Sequence, residues 1–223
     1  MNIEFLARLR TISNALNEPV LKFTASSDNK FVLNQNNSDR LTIRINNGDE
    51  IRLVEKQEYF WNKDDFVVFN AINYGGCSAT FETQIDEVEY ISINTLHPII
   101  PEANIKKIKN LYVPPKPPNG AHNYLFMLGD VTEYIGEGDM TDVPMIRCFE
   151  CPNLTYIGLK NINHSISINK TNLNKETITI LINNLGTAIN NDTQLTLKSE
   201  QYSLLDDETI NVLKSKNWNL EII

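Results

Sequence analysis

The sequence has little of what marks several large classes of protein. No apolar run reaches the length needed to span a bilayer, and the 20 Lys and Arg residues are outnumbered by 28 Asp and Glu residues, which gives a net charge of −8. Binding to nucleic acid requires clustered Lys and Arg that neutralise phosphates. We interpret the one basic cluster, Lys106-Lys107-Ile108-Lys109, as a solvated segment that leads into a strand or as a solvated loop. We therefore predict neither a transmembrane segment nor a nucleic-acid partner.

Motifs for catalysis and metal binding are also scarce. The chain has three Cys residues, and Cys148-Phe149-Glu150-Cys151 has no second Cys pair with which to complete a tetrahedral zinc site. We interpret Cys148 and Cys151 as free thiols in a loop, and the alternative is a disulfide between them. The sequence contains no Gly-rich phosphate loop, no Gly-x-Ser-x-Gly and no Ser/His/Asp arrangement. We therefore predict no catalytic residue, no metal and no cofactor, and a protein that is not an enzyme.

Acidic residues cluster at Asp86-Glu87-Val88-Glu89 and again at Glu133, Glu137, Asp139 and Asp142. A glycosidase needs two carboxyl groups at a set separation across a sugar cleft, and a calcium loop alternates oxygen ligands around a Gly. Nothing in the sequence fixes either arrangement, so we interpret these residues as solvated loops. A carbohydrate-binding protein would instead bring Asp or Glu together beside exposed Tyr or Trp.

What the sequence does contain is a regular spacing of tyrosines. Tyr90, Tyr112, Tyr134 and Tyr156 are each 22 residues apart, and each is followed by Ile or Val in a β-prone segment. This period lies within the range of about 20–29 residues for leucine-rich repeats, which stack into a solenoid that offers a binding surface. We predict that these tyrosines form a ladder on one face of a parallel sheet and are binding residues. The alternative is an ordinary antiparallel β protein.

The first residues, 1–17, predict an amphipathic helix. Phe5, Leu9, Ile12 and Leu16 fall at i, i+4, i+7 and i+11, which places them on one helical face. We expect this assembly helix to pack on the β domain of its own chain or on another subunit. Charged residues interrupt the apolar run that a secretory signal needs, so we expect no signal peptide.

Residues 18–86 predict a small all-β domain, because short β-prone runs alternate with Asn-rich turns. The clearest element is a hairpin in which Thr42–Ile45 and Glu50–Leu53 flank Asn46-Asn47-Gly48-Asp49. An Asn-Gly turn supplies the positive φ angles that a tight hairpin requires. Alternation of Ile with Arg indicates that one face of the sheet is buried and the other is exposed to solvent, which favours a sandwich or an open barrel.

The last third of the chain changes to a helical period. An apolar stripe predicts one helix that ends before Gly186, and it consists of Ile178, Leu181, Ile182 and Leu185. Asp206 is the predicted N-cap of a second helix. Two strands, 193–198 and 218–222, alternate with these helices, which predicts parallel pairing.

Residues from about Val88 to Ile223 resemble a known family. The Tyr-Ile strands and the ending resemble those of leucine-rich-repeat proteins of the bacterial surface (BspA-like) type, and similar endings occur in structural proteins of phages that infect gut bacteria. The ending consists of Leu195-Thr196-Leu197, Leu205-Asp206-Asp207-Glu208 and Lys216-Asn217-Trp218-Asn219-Leu220. For residues 87–223 the resemblance implies an LRR-like parallel β-solenoid with two C-terminal helices. With the all-β domain predicted before it, the expected fold class is α+β, mainly β.

The same resemblance implies a structural or adhesive role without catalysis. Surface members of the family are exported, whereas no export signal is expected here, so the expected location is the virion, with the protein associated with a capsid or tail. The expected partners are other structural subunits, in a homo- or hetero-oligomer. The alternatives are a bacterial surface LRR adhesin or a carbohydrate-binding protein, located at the cell surface or in the bacterial cytoplasm.

Overall fold

A computed structural model describes residues 18–36, 41–71, 77–92, 105–112, 126–127, 131–143, 146–147 and 151–223. The predicted helix with Phe5, Leu9, Ile12 and Leu16 lies outside these residues. Within the described ranges, none of the helices combines the length and the apolar character that crossing a bilayer requires.

The described chain is mainly β-strand, with three helices in its last third. The strands are β1 (Glu18–Thr24), β2 (Asn29–Asn36), β3 (Leu41–Ile45), β4 (Ile51–Arg52), β5 (Glu58–Trp61), β6 (Phe66–Ala71), β7 (Cys77–Phe81), β8 (Ile85–Val88), β9 (Tyr90–Ser92), β10 (Ile105–Tyr112), β11 (Phe126–Met127), β12 (Tyr134–Asp139), β13 (Ile146–Arg147), β14 (Tyr156–Lys160), β15 (Ile166–Ser167), β16 (Gln194–Leu197) and β17 (Asn219–Ile222). The helices are α1 (Lys175–Asn184), α2 (Ser199–Tyr202) and α3 (Asp207–Ser215).

The N-terminal strands form two antiparallel layers around an aromatic core. One layer is the three-stranded sheet β5-β2-β7, and the other is the run β1-β6-β3-β4 of a larger sheet. Phe23 meets Trp61 edge-on with ring centroids 5.4 Å apart, and Phe31 meets Phe69 at 4.9 Å. These side chains are buried because alternate residues of each strand point to the same face.

The predicted hairpin is present, with Thr42 opposite Arg52 in β3 and β4. Its turn differs from the expectation in one respect, because the residue with positive φ is Asn46 at 52° and not Gly48. The side chain of Asn46 also accepts a hydrogen bond from the Phe66 amide at 2.8 Å. Asn46 therefore fixes both the turn and its attachment to β6.

The larger sheet has nine strands and mixed direction. β9 pairs antiparallel with β1, which aligns Leu21 with Ile91, and it pairs parallel with β10 on its other side. From β10 the sheet continues through parallel strands β12 and β14, and β8 also pairs with β10 in parallel. A separate sheet of five parallel strands follows the order β11-β13-β15-β16-β17.

The predicted parallel solenoid is therefore wrong. The strands that carry the four tyrosines do lie side by side and parallel, but they share one sheet with the antiparallel N-terminal strands. Their alignment is also irregular, because Tyr134 lies opposite Lys107 instead of Tyr112. Tyr112 in turn lies opposite Ser92 instead of Tyr90. The tyrosines are thus equally spaced in the sequence, but the alignment of neighbouring strands does not repeat from one tyrosine to the next.

The second predicted helix, α3, begins after Asp206 as the sequence predicts, and the first, α1, ends at Asn184, before Gly186. A third, the short helix α2, lies between them. Asp206 caps α3 by accepting a hydrogen bond from the Thr209 amide at 2.9 Å, and Asn174 caps α1 in the same way. The predicted stripe of α1 is buried where α1 packs on β14. The end of α1 depends on a distant residue, since Lys216 Nζ donates to the carbonyl oxygen of Leu185 at 2.6 Å.

Candidate functional site

The four tyrosines lie on the outer face of β9, β10, β12 and β14. Ile91, Ile135 and Ile157, which follow three of the tyrosines, are buried on the opposite face, as the alternation of strand side chains requires. Val113, which follows Tyr112, lies outside the described residues. We call the outer surface of β8, β9, β10, β12 and β14 the tyrosine face.

The tyrosines form two stacked pairs and not a four-rung ladder. Tyr134 lies opposite Tyr156, with ring centroids 4.7 Å apart and an angle of 8° between the ring planes. Tyr90 and Tyr112 also stack, at 6.3 Å and 20°, across a diagonal.

The ladder is interrupted between Tyr112 and Tyr134. Tyr134 aligns with Lys107, five residues before Tyr112. The interruption follows from this alignment of β10 with β12, which places the two tyrosines at different levels of the sheet.

Glycines follow the Tyr134–Tyr156 pair in the repeated sequence Tyr-Ile-Gly. A Cβ added to Gly158 would come within 2.7 Å of the Tyr156 ring, so this ring covers the glycine. A Cβ on Gly136 would collide with the carbonyl group of Lys109 on β10. The close approach of the two backbones can be predicted from the pattern Tyr-x-Gly in a strand, since an isolated glycine in a strand often marks such a site.

Ion pairs surround the tyrosines. Lys106 and Lys107, which belong to the predicted basic cluster, reach Glu133 with N–O distances of 2.9 Å and 3.6 Å. The hydrogen bond from Lys106 lowers the pKa of Glu133. Burial, followed by the proximity of Tyr156 and nearby glutamates, raises the pKa of the Tyr134 phenol.

A cavity of about 440 Å³ opens at the end of the tyrosine face, where β10, β12 and β14 terminate. No local pattern in the sequence indicates it, because it depends on how three strands are aligned. Glu137 and Asp139 are exposed to solvent, as the sequence indicates, but the prediction that they lie in a loop is wrong, because both belong to β12. The lining residues that matter chemically are Tyr90, Asn110, Tyr112, Glu137, Asp139 and Lys160.

Asp139 is held in place by its neighbours. Its Oδ1 atom accepts hydrogen bonds from the Thr141 hydroxyl at 2.7 Å, the Thr141 amide at 3.0 Å and the Asn161 side chain at 3.2 Å. The bonds from Thr141 and then Asn161 lower the pKa of Asp139. The carboxylate is therefore ionised and fixed, which suits it to accept hydrogen bonds from a ligand.

The other cavity residues also have internal contacts. Asn110 donates to the carbonyl oxygen of Glu89 at 2.8 Å, and Lys160 lies 3.6 Å from Glu137. The ammonium group of Lys22 lies over the Tyr90 ring, 5.0 Å from its centroid. The cavity walls thus combine aromatic rings, two carboxylates, an ammonium group and amides in defined positions.

Among the described residues, no group of three or more His, Cys, Asp and Glu side chains is placed to hold a metal ion. Cys151 is buried, and Cys148 lies outside the described residues. Comparison with protein-family models, with curated proteins and with solved structures finds no match for this chain.

Proposed function

We propose that this chain is a non-enzymatic structural and interaction protein that acts through contacts with other protein subunits, and that the tyrosine face is the surface it presents. The observation that carries the proposal is the pair of tyrosine stacks on one outer face, with Tyr112 41% exposed. Binding energy at protein interfaces is concentrated in a few aromatic and Arg anchors.

The tyrosines are suited to this role because their positions are already fixed. Each stack holds its rings between neighbouring strands, so little side-chain entropy is lost when a partner binds. The phenol of Tyr134, like other tyrosine phenols, is protonated at neutral pH, and it can therefore both donate and accept a hydrogen bond.

The carboxylates beside the tyrosines support binding and not proton transfer. A general acid in a hydrolase needs a raised pKa so that it holds a proton near neutral pH. Here the pKa values of Glu133 and Asp139 are lowered, by Lys106 and by Thr141 respectively. Both groups are therefore held as anions by partners within the fold.

Within this proposal the assembly is a phage particle, in which the chain is a capsid- or tail-associated component of a homo- or hetero-oligomer. The basis for this placement is the resemblance of the C-terminal ending, from Leu195 to Leu220, to the endings of phage structural proteins, together with the expected lack of an export signal. The net charge of −8 favours protein subunits over nucleic acid as partners. The predicted assembly helix, which includes Phe5 and Leu9, is proposed as a further point of attachment.

The test replaces Tyr112 and Tyr134 together by Ala. Self-association of the purified protein is measured by sedimentation velocity, and incorporation into purified particles by quantitative mass spectrometry. We expect association to weaken by roughly ten-fold or more, the effect of losing an interface anchor. Tyr202→Ala is the matched control, because Tyr202 is comparably exposed, at 37%, and lies away from the tyrosine face on α2.

Circular dichroism of each variant separates folding from binding. The single variant Tyr112→Ala keeps the test valid if the double variant unfolds, because the side chain of Tyr112 is the most exposed of the four tyrosines. A folded Tyr112→Ala protein that associates and incorporates as the wild type does would contradict the proposal.

A further inference from the structure

The cavity at the end of the tyrosine face has one aromatic wall. Tyr90 and Tyr112 stack at an angle of 20° between ring planes, and Tyr112 is the more exposed of the two. A sugar ring has a face of C–H bonds that packs on such a ring through dispersion and weak C–H contacts. This wall therefore fits the flat, weakly apolar face of a pyranose.

The opposite wall is polar and matches the edge of the same ligand. Glu137 and Asp139 accept hydrogen bonds, Lys160 donates them, and the amide of Asn110 can do both. Sugar hydroxyl groups both donate and accept, so they satisfy such a mixed set. The cavity volume of about 440 Å³ lies within the range of about 300–1,000 Å³ typical of small-molecule sites.

The charged side chains of the cavity disfavour an anionic ligand. Two carboxylates, Glu137 and Asp139, face one ammonium group, Lys160, so the cavity is negative overall and disfavours phosphates and other anions. At Tyr90, the ring face that would attract a cation already has the ammonium of Lys22 at 5.0 Å from its centroid. Neutral polyhydroxylated compounds match both the aromatic wall and the mixed donors and acceptors of the polar wall.

The polar wall is also preorganised. Asp139 is fixed by three hydrogen bonds from Thr141 and Asn161. Gly138 stands between the two carboxylates, and a Cβ there would lie 2.6 Å from the Leu111 carbonyl oxygen. β10 and β12 therefore approach closely beside the cavity, and the Asp139 carboxylate keeps its position without a ligand.

We propose that this cavity binds one neutral sugar ring of a glycan, with the ring stacked on Tyr112 and its hydroxyl groups bonded to Glu137 and Asp139. The inference rests on the proposed function in one respect: it takes the tyrosine face as a surface for binding without catalysis. It adds a ligand class to that surface, independent of which protein subunit the face contacts.

The test starts with an array of neutral and anionic glycans. Methyl glycosides of the neutral sugars that bind are then titrated into ¹⁵N-labelled protein, and chemical shifts of the Gly138 and Asn161 amides are followed. We expect saturable binding of a restricted set of neutral sugars, weakened roughly ten-fold or more by Tyr112→Ala and by Glu137→Gln. Tyr202→Ala is the control and should bind as the wild type does. The side chain of Glu137 is 75% exposed, so its replacement should leave the fold intact.

Three results would overturn the inference: no neutral glycan binds at millimolar concentration, only anionic glycans bind, or a folded Tyr112→Ala protein binds sugars unchanged. The outcome is separable from that of the proposed function because the readouts differ. If Tyr112→Ala abolishes assembly and no sugar binds, the protein contact stands and the glycan site fails. If sugars bind and assembly is unaffected, the glycan site stands and the protein contact fails.

Discussion

Tyr134 and Tyr156 lie directly opposite each other on neighbouring parallel strands, and their rings stack with centroids 4.7 Å apart. This separation matches the spacing of about 4.7–4.9 Å between strands of a sheet, so the two rings follow the backbones without sideways displacement. Tyr156 also covers Gly158, which has no side chain of its own. The pair therefore stabilises the sheet as well as forming part of the tyrosine face.

Replacing Tyr134 and Tyr156 by Leu, singly and together, should reveal a favourable coupling between them. Each Leu keeps an apolar side chain but removes the ring stack, so the coupling free energy of unfolding should be about 0.5–1.5 kcal/mol. Urea denaturation of the four proteins gives this value. The control cycle pairs Tyr134→Leu with Tyr202→Leu, which is outside the stack and should be additive within about 0.5 kcal/mol. A coupling no larger than in the control cycle would show that the stack adds no stability.

Gly136→Ala should destabilise the protein strongly. The added methyl group would collide with the Lys109 carbonyl on β10, a backbone group that moves only if the β10–β12 pairing opens. We expect a loss of about 3 kcal/mol or more in the free energy of unfolding. Gly48→Ala is the matched control: its Cβ would lie 3.1 Å from the Ile45 carbonyl oxygen in an exposed turn, and a much smaller effect is expected. Equal effects of the two substitutions would disprove the close approach at Gly136.

Local sequence signals predict much of the secondary structure. Asp206 is identifiable as an N-cap because its side chain bonds to an amide only three residues away. The stripe of Ile178, Leu181 and Ile182 predicts the buried face of α1 by the same short-range logic. These features depend on neighbours within one or two helical turns, and their periodicity is therefore visible in the sequence.

The fold and the cavity depend instead on alignments between distant segments. The antiparallel pairing of Leu21 with Ile91 joins two halves of the large sheet that are far apart in the chain, and no local pattern predicts it. The alignment of β10 with β12 separates Tyr112 from Tyr134 and brings Tyr112 to the cavity that Asp139 also lines. The equal tyrosine spacing alone favours a uniform alignment, with a tyrosine opposite a tyrosine on every strand. The cavity results from the observed alignment of β10 with β12, which the equal tyrosine spacing does not predict.

Asp206→Asn should reduce the sensitivity of the protein to acid. Hydrogen bonds from the Thr209 side chain and amide, and then from Lys175, lower the pKa of Asp206 in the folded state. Because the folded pKa is below the unfolded one, the stabilisation is complete above about pH 5 and is lost progressively as the pH falls further. Asn retains an oxygen that can cap α3 but does not titrate. Urea midpoints measured at about pH 6 and about pH 3 should therefore differ less in the variant than in the wild type.

Lys175→Met is the companion to this experiment. It removes the ion pair with Asp206, whose N–O distance is 2.9 Å, but leaves both bonds from Thr209. Since the Thr209 bonds are the larger causes of the lowered pKa of Asp206, Lys175→Met should change the acid sensitivity less than Asp206→Asn does. Acid sensitivity of Asp206→Asn equal to that of the wild type would show that the cap does not titrate in this range.

The turn at Asn46 allows backbone conformation and side-chain bonding to be measured separately. Asn46 has a φ of 52°, and its side chain accepts from the Phe66 amide at 2.8 Å and donates to Asp65 at 2.6 Å. Asn46→Gly keeps the left-handed conformation and loses both bonds, whereas Asn46→Ala loses the bonds and adds steric strain. We expect both variants to be less stable than the wild type, with Ala below Gly by about 1 kcal/mol in urea denaturation. Asn47→Ala, in the same exposed turn, should stay within about 0.5 kcal/mol of the wild type. An Ala variant as stable as the Gly variant would mean that the turn does not hold residue 46 in the left-handed region.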